Sequence, residues 1–181
     1  MNGAGELKIL IILVLVGFII YFLFKLGLYI YRPFYLRKTI SSIEAQYNRL
    51  LAILNKDIDM AVKDYSRWQS GDRVALCSED ELRKGIDEAM ASKKHAQEVN
   101  DKFFRLRERY IVDYKKLGDP IFWYKRYLNL RLDQIGKASI YSSALTSGVA
   151  TIDEFMASAN EHRIAIEESE KRLDTLLDSN P

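Results

Sequence analysis

Few side chains in this chain could do acid–base, nucleophilic or metal chemistry. There are two histidines, His95 and His162, and one cysteine, Cys77. Neither histidine has a partner at metal-ligand spacing, and a lone thiol gives no intramolecular disulfide and no Cys-based zinc site within one chain. Acidic pairs such as Glu167 with Glu168, or Asp57 with Asp59, read as solvated helix surface. No phosphate-cradling glycine loop, dinucleotide fingerprint, G-x-S-x-G elbow or H-E-x-x-H helix occurs. The reading is no catalytic residue, no metal site, no cofactor and no enzyme. His162 falls in a heptad seam, where a polar residue sets register or closes a local hydrogen bond.

The elements that would carry such residues are helices. The 181 residues include nine glycines and only three prolines, at 33, 120 and 181, each placed where an element boundary or the chain end is expected. A chain this poor in breakers and rich in Ala, Leu, Glu, Lys and Arg is helical. Its net charge of +2 implies no particular partner.

Residues 9–24 read ILIILVLVGFIIYFLF, 16 residues without a charge, and apolar character resumes after Lys25 as far as Tyr31. Those 23 residues exceed the roughly 20 that a helix needs to cross the hydrocarbon core of a bilayer. Lys25 can snorkel to the headgroups, and Tyr29, Tyr31 and Tyr35 with Arg32, Arg37 and Lys38 have the composition of an interfacial belt. A cleaved signal peptide fits poorly, because the run is long and no small-x-small cleavage site follows. The expectation is a single uncleaved transmembrane helix over 9–31, after a short tail 1–8 and before a juxtamembrane segment 32–38. Four cations follow the core, against Lys8, the amino terminus and Glu6 before it. The positive-inside tendency therefore sets the bulk of the chain in the cytoplasm, at the cell (inner or plasma) membrane.

Residues 39–181 then read as one antiparallel helical bundle, coiled-coil-like, with helices near 39–70, 79–117, 120–147 and 152–178. Ile40, Ile43, Tyr47, Leu50, Leu54, Ile58, Ala61, Tyr65 and Trp68 recur at steps of three and four. Ser78-Glu79-Asp80-Glu81 and Thr151-Ile152-Asp153-Glu154 are capping boxes, and Cys77 with Leu82 occupies the positions of a hydrophobic staple. Leu82, Ile86, Ala89, Ala96, Val99, Phe103, Leu106, Tyr110 and Leu117 continue the second face. Pro120 opens the third helix, with Ile121, Tyr124, Leu128, Leu132 and Ile135 inward. The last seam is Ile152, Phe155, Ala159, His162, Ile166, Ser169, Leu173 and Leu176. Four such segments with short connections make antiparallel neighbours.

Charge is unevenly spread. Residues 102–131 hold nine cations against three acids, and residues 153–178 hold eight acids against three cations. Either the fourth helix neutralises the basic stretch, or that stretch meets anionic lipid or a partner. Within it, GDPIFWYKRY (118–127) has four large apolar residues in a row, more than one buried helix face can hide. A second helix reaching Leu117 would run roughly 58 Å back toward the bilayer. Phe122, Trp123, Lys125 and Arg126 thus join the expected membrane interface, with burial of Trp123 against the fourth helix as the competing reading. The expected function is a non-enzymatic, membrane-anchored interaction protein: an adaptor, assembly factor or structural subunit of a membrane complex. Its expected partners are the lipid bilayer and a protein or second copy bound through the bundle, with nucleic acid disfavoured by the tether. The alternative is an extracytoplasmic helical ligand-sensing domain of inverted topology.

Overall fold

The computed structural model describes residues 3–71, 78–110, 113, 115–146 and 152–179, and among these all regular structure is helical. The helices are α1 Gly3–Gln69, α2 Glu79–Arg109, α3 Gly118–Thr146 and α4 Ile152–Asp178. The chain divides into two compact units, Met1–Ser42 and Ile43–Pro181.

In the first unit every described side chain from 14 to 27 is exposed, among them Val14, Phe18, Ile20, Phe22 and Phe24. Among the described residues no helix is long and apolar enough to cross a membrane. The run of described side chains there spans 14 residues, against the roughly 20 a crossing takes. A break at Pro33 is also expected from the sequence, and this is corrected: α1 passes through Pro33 without interruption. Proline removes a single hydrogen bond, at about 3 kcal/mol, whereas propagation on either side regains one bond per residue. Just beyond it, the Thr39 hydroxyl donates to the Tyr35 carbonyl at 2.9 Å.

The second unit is a helical bundle whose side-chain pairings give its direction. Arg107 meets Glu44 at 3.0 Å and Tyr65 donates to Glu79 at 3.0 Å, so α1 and α2 are antiparallel. Tyr124 with Asn100 and Arg131 with Ser92 do the same for α2 and α3. Arg126 with Glu168 and Asp133 with His162 do it for α3 and α4. Within this unit the most extended backbone approach is α3 to α4, while no described Cα of the α1 portion from Ile43 onward comes within 8 Å of another helix. The difference follows side-chain size. Ala159, Ala165 and Ser169 occupy inward positions of α4, whereas α1 presents Tyr47, Leu50 and Leu54.

The helical rhythm places the core. Ile43, Leu50, Leu54, Val99, Phe103, Leu106, Tyr124, Leu128, Ile166 and Leu173 are all buried. Ile152 departs from the expected seam: as the first residue of α4 it is 68% exposed. Ser78 caps α2 as read, its hydroxyl accepting from the Glu81 amide while Glu81 accepts from the Ser78 amide. Cys77 and Thr151, and with them the staple and the second capping box, lie outside the described residues. At the end of α1, Gly71 takes a left-handed φ of 82° and its N–H bonds the Trp68 carbonyl at 3.1 Å, which needs a residue without Cβ.

Two boundaries move. α2 stops at Arg109, capped by Tyr110, rather than at Leu117, and so spans roughly 47 Å. The Asp113 carboxylate accepts from the Lys115 amide at 3.2 Å, a local alternative to the helix ladder that short acidic side chains favour. Gly118, expected in the gap between the second and third helices, is instead the first residue of α3, and the Leu117 carbonyl already accepts from the Ile121 amide. Pro120 therefore stands third, still within the turn where its missing N–H costs nothing.

Candidate functional site

The polar interior of the bundle starts at Asn100 and runs along α3. The Tyr124 hydroxyl donates to Asn100 Oδ1 at 2.7 Å, and its ring stacks on Phe103 with centroids 4.4 Å apart. One turn on, Tyr127 is fully buried and its hydroxyl has no hydrogen-bond partner. Burial pushes its pKa up to about 12, with the neighbouring Arg131 guanidinium acting the other way. A folded pKa above the unfolded value near 10 means the folded state gains its full benefit below about pH 10 and loses it as pH rises toward 12. Tyr127→Phe removes a buried, unanswered hydroxyl and should leave the melting temperature at neutral pH equal or higher. It should also flatten part of the loss between pH 10 and 12, read by circular dichroism melts across that range.

Arg131 follows on the same face. Its two terminal nitrogens donate to Ser92 Oγ at 2.6 Å and to Gln134 Oε1 at 3.1 Å, both neutral acceptors. Its Nε is buried with no acceptor, and Arg131 makes no ion pair among the described residues. Beside it a cleft of about 310 Å³ opens within the second unit, with walls from all four helices. Leu54 and Asp57 come from α1, Ala89 and Ser92 from α2, Arg131, Ile135, Lys137 and Tyr141 among others from α3, and Phe155, Ala159 and His162 among others from α4.

His162 closes one wall and is buried. Its Nδ1 lies 2.9 Å from the Ser158 carbonyl and its Nε2 lies 2.8 Å from Asp133 Oδ2. Both partners accept only, so the two bonds coexist when both ring nitrogens carry hydrogen. Asp133 also takes Lys137 at 3.3 Å, and the His162 and Lys137 bonds together hold its carboxyl below the usual carboxylate value. This is the local hydrogen-bonding role that a seam histidine was expected to have. Among the described residues no group of three or more His, Cys, Asp or Glu gathers as a metal site would.

The residues read as membrane-interfacial fall into both units. In the first, Lys25 lies over the Tyr21 ring at 5.6 Å, and Tyr31 stacks with Tyr35 at 6.2 Å. Arg37 and Lys38 are exposed, while the side chains of Tyr29 and Arg32 lie outside those described. In the second unit Phe122 and Lys125 are exposed. Trp123 is half-buried, with the Arg126 and Arg172 guanidinium groups over its ring at 5.4 and 5.5 Å. Its ring therefore serves the α3–α4 contact through cation–π attraction. Much of the basic stretch is answered internally: Lys102 meets Asp174 at 2.7 Å, Arg126 meets Glu168, and Arg109 donates to the Leu177 carbonyl at 2.7 Å.

No known family model, curated protein or solved structure matches the chain. The arrangement itself must carry the reading. The cleft brings together a guanidinium that makes no ion pair among the described residues and the aromatic side chains of Tyr141 and Phe155. Sequence reasoning missed Tyr127 and Arg131. Tyr127 sits three residues after Tyr124, a legible helical step, whereas nothing in the spacing distinguishes Arg131 from the other cations of its stretch.

Proposed function

We propose that the chain is a membrane-anchored helical-bundle protein that acts by binding rather than by catalysis, as an adaptor, assembly factor or structural subunit of a membrane complex. One observation carries the anchoring: the described side chains at 14–27 are apolar almost throughout and exposed on every side of the helix. An apolar helix with no protein around it is stable only where lipid replaces protein. The sequence extends that apolar run to residues 9–31, long enough to cross, and the cations after it favour a cytoplasmic bundle. Support for a protein partner comes from the second unit, where Ile140, Ile152, Met156 and Ile164 stand more than half exposed. The cleft favours a second reading, in which the bundle senses a small ligand.

The anchoring is tested by alkaline extraction of membranes from cells making the full chain. The full chain should stay in the pellet, and a variant with Ile12, Val16 and Ile20 changed to Arg should move to the supernatant; pelleting of both would sink the proposal. Orientation is read with a cysteine at exposed Ser70 in a Cys77→Ser background. A membrane-impermeant maleimide should leave intact cells unlabelled and react after permeabilisation. Labelling of intact cells would reverse the topology.

A further inference from the structure

The cleft described above raises a question that anchoring does not answer: why a half-buried guanidinium stands in its wall without an ion pair among the described residues. Lys137 and His162 share the Asp133 carboxylate, but Arg131 bonds only neutral groups and keeps one N–H without an acceptor. An uncompensated charge away from bulk water is costly, and a bound anion removes that cost. Around it the walls are apolar and aromatic, with Ile135, Tyr141 and Phe155, the last two edge to face at 5.7 Å. A volume of about 310 Å³ lies at the small end of the range for small-molecule sites, so the occupant is a compact molecule.

We propose that the cleft binds a small amphipathic carboxylate, with its charge against the Arg131 guanidinium and its apolar body against Ile135, Tyr141 and Phe155. Charge complementarity sets the class. Arg131 makes no ion pair among the described residues, so one negative charge placed against it would be answered, and the acidic wall residue Asp57 disfavours a second. Asp57 makes no ion pair among the described residues, so it can also receive the ammonium of an amino acid. Plain monocarboxylates and apolar amino acids share the carboxylate, and the experiment separates them.

Binding is measured on the full chain in detergent micelles by saturation-transfer difference NMR. The probes are 3-phenylpropanoate, its neutral counterpart 3-phenylpropanol, and phenylalanine. Wild type should prefer the carboxylate over the alcohol by about tenfold or more, the scale of a charge-assisted pair. Arg131→Met should erase that preference. Ala89→Leu, which narrows the cleft and leaves the guanidinium in place, should weaken both probes. Equal binding of the carboxylate and the alcohol to wild type overturns the inference, as does a preference that survives Arg131→Met. If Arg131→Met fails to fold, Ala89→Leu decides, and an unchanged carboxylate affinity there rejects the cleft as the site. Phenylalanine binding tighter than 3-phenylpropanoate, with the gain lost in Asp57→Asn, assigns an amino acid. Weaker binding of phenylalanine assigns a plain carboxylate. None of these readouts depends on which side of the membrane holds the bundle.

Discussion

Ile166→Asp is expected to cost the bundle about 4 kcal/mol or more, enough to remove most of the stability of a domain this size. Ile166 is buried midway along α4, between His162 and Ser169 of the same seam. His162 already spends both ring nitrogens, and the Ser169 hydroxyl donates to the Ala165 carbonyl at 2.9 Å. An aspartate there would find no committed partner, and the apolar packing of the isoleucine would be lost as well. The neighbouring Glu167→Lys removes only an exposed pair with Arg163, one turn away, and should change stability by roughly half a kcal/mol. Thermal melts of the full chain in detergent, followed by circular dichroism, separate the two. Similar melting temperatures for both variants would refute the inward placement of this face.

Phe103→Ala should cost about 3–5 kcal/mol, the usual range for deleting a buried aromatic ring. Phe103 is 1% exposed and stacks on Tyr124, whose hydroxyl in turn depends on Asn100. Losing the ring therefore opens a cavity beside a hydrogen bond that works because water is kept out. Phe104→Ala, one residue on and partly exposed, should cost much less. The comparison is made by the same melts, with near-ultraviolet dichroism reporting the tyrosines. Equal losses from the two variants would mean that Phe103 and Tyr124 do not form the centre of the core.

What could be read from the sequence was periodic, and what escaped it was local or collective. The seams of α1, α2 and α4 show because burial repeats every three or four residues, and Ser78 to Glu81 shows because one side chain answers one amide. The end of α2 escaped because the Asp113 side chain, which no period records, bonds the Lys115 amide instead. Pro33 misled because a rule about one missing hydrogen bond was applied to a helix with dozens of others. Arg131 escaped because its significance lies in making no ion pair among the described residues, which only three-dimensional neighbours reveal. In GDPIFWYKRY the four consecutive side chains divide: Ile121 and Tyr124 go to the core, Trp123 to the arginines and Phe122 to the surface.

The wide spacing of α1 from its neighbours has a consequence for synthesis. Its C-terminal end is bonded nearby, Tyr65 to Glu79 and Arg83 across 14 and 18 residues, but the stretch around Ile43 and Leu50 is held by Arg107 and Asn129, 63 and 83 residues beyond Glu44 and Gln46. A growing chain makes α1 before any of those partners exist, so Ile43, Leu50 and Leu54 leave the ribosome with their apolar sides uncovered. The most extended backbone contact, α3 with α4, joins residues 29 to 42 apart and so closes at a smaller entropic cost than those long-range bonds of α1. Of the four helices, α1 is thus the one whose inward residues wait longest for cover, and a chaperone or the membrane surface has that interval in which to hold it.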